Sequence, residues 1–208
     1  MGPIYHLFLV RGYREAYYQL SPEARDQLWA RIDESGKAAG AKVLVGCYSR
    51  WSNEAYAGWG VEEFPDLQAV QQSTRTNEKK QHFRYIEAET YNGVLMEGFQ
   101  RPQVDIPDPI YQLFLVKNHH NDAWSSLAGD TRDRIFAAVG ESIRKHGGIN
   151  LIGCDINWSN EEYSFFGVTA WPNIEAEQAH FKDLTNLGWH RYFYAKTILG
   201  TAYADEIE

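Results

Sequence analysis

The sequence predicts an α+β protein built from two tandem βαββαβ repeats, and three observations carry that prediction. "PIYHLFLV" at Pro3 returns as "PIYQLFLV" at Pro109, with seven of eight residues the same. "VLVGCYSRWSNEAY" (Val43 to Tyr56) returns as "NLIGCDINWSNEEY" (Asn150 to Tyr163), with eight of fourteen positions identical at an offset of 107. Average residue usage would give about one such match by chance. Single matches at the same offset, among them Arg25 with Arg132, Pro65 with Pro172 and Tyr85 with Tyr192, extend the register along the repeat. Similarity at a fixed period means tandem duplication.

Local signals place each element. "IYHLFLV" is a short apolar strand bounded by Pro and Gly. In "SPEARDQLWARIDESGKAAG" Ser21 is a helix N-cap, Pro22 takes the first helical position and acidic residues follow. Leu28, Trp29 and Ile32 fall at helical spacing, and Gly36 and Gly40 end the segment. Two strands follow, "KVLVGCYSRW" and "AYAGWGVEEF", joined by the polar turn Ser52-Asn53-Glu54. A second helix is predicted over about Asp66 to Lys80, and "HFRYIEAETY" is the last strand. This order is a split βαβ unit, and right-handed crossovers give it an antiparallel sheet in the order 4-1-3-2 with both helices on one face. Along the first strand Ile4, His6, Phe8 and Val10 alternate with Tyr5, Leu7 and Leu9, so neither face reads as solvent-exposed. The second repeat is expected to cover the open face of the first. The expected boundaries are 1–96 for the first repeat, 97–108 for a linker, 109–200 for the second repeat and 201–208 for an acidic tail.

Two ferredoxin-like units of this kind resemble the dimeric α/β-barrel superfamily, here duplicated within one chain as an intramolecular pseudo-dimeric α/β barrel. The segment "YYQLSPEARDQLW" (Tyr17 to Trp29) is also similar to a Trp/Tyr-Leu-Ser-Pro-Glu-Glu-Arg helix entry common in small barrel proteins. The resemblance implies a range of functions: cofactor-free monooxygenases, polyketide cyclases, isomerases, lyases and haem enzymes. A fold supplies such a range without selecting from it.

Composition narrows the partners. A formal net charge of −8 argues against nucleic acid, because phosphate binding needs a dense basic surface. No apolar run approaches the roughly 20 residues that span a bilayer, so a cytoplasmic protein without a membrane partner is expected. Cys47 and Cys154 occupy matching repeat positions, which reads as two small buried residues and not as a disulfide framework. The pair His119-His120, with Asn121 and Asp122, lacks an evident third ligand, so no metal site is assigned. A fused pair of repeats is expected to be a monomer or a weak homodimer.

Strand parity selects the candidate site. The Tyr85, Glu87, Glu89 parity of the fourth strand is more polar than Arg84, Ile86, Ala88 and is expected to line an interior cavity away from the helices. The catalytic candidates are His6, Glu87 and Tyr85. His6 has the pKa range of a general base, and Glu87 in apolar surroundings would be raised into an acid or base role. Candidate substrate-binding residues are Phe8, Tyr56, Gln112, Asp155, Tyr163, His190, Tyr192 and Tyr194, an aromatic set with a few hydrogen-bonding groups suited to a small, largely apolar ligand. Between the repeats His6 becomes Gln112, Glu87 becomes Tyr194 and Gly58 becomes Phe165. That asymmetry predicts the larger cavity in the first repeat. The leading expectation is a cofactor-independent enzyme moving protons on a small aromatic or polyketide-like metabolite. The alternatives are a non-catalytic binding protein and a haem-binding protein, for which His180 is the candidate ligand.

Overall fold

The computed structural model describes residues 2–117 and 122–203, so most of the expected acidic tail lies outside the described residues. Its elements run β1 (Ile4–Tyr13), α1 (Glu15–Tyr18), α2 (Pro22–Ala38), β2 (Lys42–Tyr48), β3 (Gly58–Phe64), α3 (Leu67–Lys79), β4 (Ile86–Leu95), β5 (Ile110–Lys117), α4 (Asp122–Ser125), α5 (Gly129–Lys145), β6 (Ile149–Asp155), β7 (Tyr163–Trp171), α6 (Ile174–Asn186), α7 (Trp189–Tyr192) and β8 (Ala195–Ala202). Among the described residues no helix is long and apolar enough to cross a membrane. The chain divides into two compact units, one holding the residues up to Val94 together with Tyr203, the other running from Leu95 to Ala202.

In the first unit β1 pairs antiparallel with β3 and β4, and β3 pairs with β2, giving the order β4-β1-β3-β2. In the second unit β5 pairs with β7 and β8, and β7 with β6, giving β8-β5-β7-β6. Both are the 4-1-3-2 order expected of the split βαβ unit. The registers also agree: Leu7 faces Val61, and its counterpart Leu113 faces Val168. Duplication therefore extends to the ladder. In each unit a phenylalanine of the central strand lies over a glycine of its neighbour, Phe8 over Gly60 and Phe114 over Gly167, at a distance that leaves no room for a Cβ.

The N-cap expected at Ser21 forms, and two further caps accompany it. Ser21 Oγ accepts from Ala24 N at 3.3 Å, and Asp66 and Asn173, at equivalent repeat positions, accept from Ala69 N at 2.8 Å and Ala176 N at 2.9 Å. Three boundaries differ: β2 ends at Tyr48 and not at Trp51, β3 begins at Gly58 and not at Ala55, and β4 starts late. His82–Arg84 form a 3-10 turn entered through Gln81 at φ 59°, so β4 begins at Ile86 and not at His82. The short helices α1, α4 and α7 are additions to the expected elements; four residues each carry too little periodicity to announce them.

In the first unit the helix-facing side of the sheet is filled. Val10, Leu28, Ala57 and Ile86 form a buried cluster flanked by Phe8, Tyr13, Tyr17, Leu20, Trp29, Ile32 and Tyr85. Ile4, Phe64, Ala69 and Val70 continue it. Ile4, Phe8 and Val10 thus point towards the helices, and Leu7 and Leu9, both fully buried, point the other way.

Candidate functional site

The second unit holds a cavity of about 850 Å³, between its sheet and helices α5, α6 and α7. It opens on the helix side of the sheet, not on the face turned away from the helices that strand parity favours. Phe114, Val116, Phe165, Ala195 and Thr197 line it from the strands, Phe136, Val139, Gly140 and Ile143 from α5, and His180, Phe181 and Leu184 from α6. The α5 and α6 residues follow helical spacing, so each helix presents one stripe to the cavity. Trp189 and Phe193 close one side, their rings 4.2 Å apart, with Trp124 4.6 Å from Phe193. Volume and mainly apolar lining are those of a ligand pocket.

His180 is a buried polar group in this wall, 4 % exposed. Its Nδ1 lies 2.9 Å from Ser142 Oγ on α5, and its ring tilts against Trp171 at 5.0 Å. Ser142 Oγ in turn donates to Asp183 Oδ2 at 3.0 Å, and the same carboxylate oxygen meets Lys145 Nζ at 3.1 Å and His146 Nε2 at 2.9 Å. These partners hold the Asp183 carboxyl well below the usual carboxylate range, with His146 the largest cause. Burial lowers the His180 pKa to about 4, so its imidazole is neutral at physiological pH. Nδ1 is engaged, and Nε2, which has no protein partner among the described residues, is the nitrogen left for the cavity.

Gln112 also reaches the cavity, but its amide is used by the framework. Nε2 donates to Glu177 Oε1 at 3.0 Å, and Oε1 accepts from Trp171 Nε1 at 3.0 Å. Glu177 is buried, which raises its carboxyl pKa. Asp155 and His190 line the cavity too. Asp155 Oδ1 accepts from the backbone and side-chain amides of Asn157, and the exposed His190 ring rests on Phe181 at 4.9 Å.

Of the remaining candidates, Tyr163 and Tyr194 line a separate recess of about 590 Å³ with Lys117, Glu162, Ala195 and Lys196, and the others do not join them. His6 is partly exposed but densely surrounded, with Nδ1 2.8 Å from Asn92 Oδ1 and its ring edge-on to Phe64, and desolvation lowers its pKa. Phe8 packs in the helix-side cluster, and so does Tyr85. The 3-10 turn takes Tyr85 out of the strand, which breaks the parity joining it to Glu87. Glu87 is exposed and therefore lacks the apolar surroundings its expected role needs. Tyr56 donates to Glu89 Oε1 at 2.6 Å, and Glu89 pairs with Arg11 at 2.9 Å. Tyr163 is buried under Lys196, whose Nζ stands 5.3 Å from the ring centroid. Tyr192 packs against Trp124, and Tyr194 is exposed. His119, His120 and Asn121 lie outside the described residues; among those described no group of three His, Cys, Asp or Glu could hold a metal ion.

The space that Gly58 was expected to leave in the first repeat is taken, and the repeat register shows by what. Gly58 suggests free space, yet the Tyr203 hydroxyl occupies the position that a Cβ on Gly58 would take. Tyr203 N donates to Gly46 O at 3.3 Å, as its counterpart Met96 N donates to Gly153 O at 3.0 Å. The extension of the last strand therefore carries a phenol in the first unit, whereas in the second unit it carries the flexible Met96, a cavity-lining residue. The relay around His180 was also open to detection. Ser142 matches Ser35, but His180, Asp183 and His146 stand where the first repeat has Ser73, Thr76 and Ala39. Three titratable replacements around one shared serine were the signal.

Fold and site together describe a duplicated ferredoxin-like α+β protein with a ligand-sized cavity in its second repeat. Comparison with solved structures agrees on the fold. The chlorite dismutase of Candidatus Nitrospira defluvii, solved in complex with imidazole, superposes with a TM-score of 0.77 at 13% identity, over 97% of this chain and 91% of that one. A haem-binding protein from Thermus thermophilus superposes with a TM-score of 0.72 at 12% identity, over 98% and 92%. Residues 112–206 match a family of unknown function (DUF6616). No curated protein matches the sequence.

Proposed function

We propose that the second unit binds haem, or a flat metal-bearing ligand of that kind, and that His180 would hold it through Nε2. The observation that carries this reading is His180 itself: a neutral, buried imidazole, anchored at Nδ1, whose other nitrogen is left for an apolar cavity of about 850 Å³. The residues fit the group. A metal-ligating imidazole needs its second nitrogen fixed by hydrogen bonding, and Ser142 does that. The aromatic walls suit a planar macrocycle and would exclude water from it. Bound haem would supply an iron centre for redox or small-ligand chemistry. This chain's own part is to hold Nε2 in place, keep it unprotonated and shield the site. The Thermus thermophilus neighbour is a haem-binding protein of the same fold, which supports the same reading.

The test is titration with haemin. The expected result is saturable binding at one site per chain with a shifted Soret band, weakened at least 10-fold in His180→Ala and little changed in His190→Ala. Absence of a saturable spectral change would overturn the reading.

The polar edge of the same cavity favours a second reading. Asp155, Asn157 and His190 could orient a small apolar metabolite without a cofactor, for binding or for proton transfer. In that case the working groups belong to the second repeat, and co-purifying organic molecules identified by mass spectrometry would displace haemin.

A further inference from the structure

We infer that Asp183, acting through Ser142, locks His180 as the Nδ1–H tautomer, so that the cavity presents a permanent electron-pair donor and accepts only ligands offering a metal centre or a proton to it. This deepens the haem reading and rests on it for the ligand's identity, although not for the tautomer.

The argument is a count of hydrogens. Ser142 Oγ lies 2.9 Å from His180 Nδ1 and 3.0 Å from Asp183 Oδ2, yet a hydroxyl carries one hydrogen. An ionised carboxylate can only accept, and Asp183 is paired with Lys145 and His146. If the serine gave its hydrogen to His180, its oxygen would face the carboxylate oxygen with no hydrogen between them. The charge-assisted bond to Asp183 is the stronger of the two, so the hydrogen goes there. Ser142 must then accept from Nδ1–H, and Nε2 carries the lone pair. The facing groups from every neighbouring element agree: Lys145 and His146 donate to Asp183 from the end of α5, and Trp171 meets His180 with its ring. None of them offers Nδ1 an alternative donor. The first repeat keeps the serine as Ser35 but has Ser73 for the histidine and Thr76 for the aspartate, so it has no relay. Asp183 is a positioning residue here, since it touches no ligand.

The experiment reads the tautomer directly in the ligand-free full chain, by long-range proton–nitrogen NMR on histidine-labelled protein. Wild type should show His180 with Nδ1 protonated and Nε2 pyridine-like. Asp183→Ala frees the Ser142 hydrogen and should shift the population towards Nε2–H. Asp183→Asn, whose amide oxygen can accept in the same place, should restore the wild-type pattern. Ser142→Ala provides a second route to the mixed state. A purely structural role for Asp183 would lower the melting temperature and leave the tautomer alone. An Nε2–H signal in wild type, or an unchanged tautomer in Asp183→Ala, overturns the relay. Haemin affinity should fall on the order of 10-fold in Asp183→Ala. If the tautomer behaves as expected but wild type takes up no haemin, the relay stands and the haem reading fails.

Discussion

Each repeat encloses a histidine, but at a different position and for a different use. His6 sits where the second repeat has Gln112, and His180 where the first has Ser73. His6 bonds Asn92, and its enclosure is a pH liability. Desolvation lowers its folded-state pKa, with the Asn92 bond only partly opposing this. A lowered pKa means that below the unfolded value, about 6.5, the unfolded chain binds a proton the folded chain does not. The neutral His6 contribution is therefore complete above that pH and is lost as pH falls through it. Glu62, raised to about 7 by burial and by Asp33, has the opposite sign in the same window, because its proton is held by the folded state. The useful measurement is thus a difference. Urea unfolding between pH 7.5 and about 5 should show a steeper loss of stability in wild type than in His6→Gln, by at most about 1.4 kcal/mol per pH unit. Equal slopes would mean His6 titrates as in the unfolded chain.

At the scale of elements, α5 is the member that makes the cavity. It carries Gly140 in its middle, where α2 has Asp33, and Gly140 lies in the cavity wall. A glycine inside a helix costs about 0.5–1 kcal/mol relative to alanine. A Cβ there would meet nothing nearer than Arg144 Nη1 at 3.5 Å, which is ordinary contact. Gly140→Ala should therefore stabilise the ligand-free protein by up to about 1 kcal/mol. Gly140→Leu should fold, fill space in the cavity wall and weaken haemin binding. Unchanged binding in Gly140→Leu would place the ligand elsewhere. The paired caps make a second prediction. Asn173→Ala and Asp66→Ala should each cost about 1 kcal/mol, read as a lower urea midpoint at constant slope. A cost near zero for either would mean that its side chain does not cap the helix.

At the scale of the whole chain, one fold is used twice and only the second copy opens into this cavity. The first unit closes its helix-side space with the cluster of Val10, Leu28, Trp29, Ile32 and Tyr85, and Tyr203 covers Gly58. The second unit replaces these packing partners with walls around a cavity. Ligand protection should follow that division. With haemin at about 100 times its dissociation constant, stability should rise by about 2.7 kcal/mol. Slowed hydrogen exchange should concentrate in α5, α6 and α7 and spare α2 and α3. Equal protection of both units would contradict a single site in the second.

The duplication, the strand order 4-1-3-2 and the cap of the first long helix were legible because they rest on local patterns: a repeated strand and Ser21 before Pro22. Periodicity and capping act within a few residues, so a linear reading finds them. Gln112, Asp155 and His190 were named from the sequence and do reach one cavity, but on the sheet face opposite to the one that parity favoured. The position of the cavity was not legible. It depends on Tyr203 crossing to Gly46 and Gly58, 157 and 145 residues away in sequence, and on a 3-10 turn that moves Tyr85 off the strand. His180 was visible as a residue, but its chemistry comes from Ser142, 38 positions back, and from an aspartate that α6 brings to the same hydroxyl. Empty space and a shared hydrogen are properties of packed neighbours, and only tertiary structure decides which side chains become neighbours.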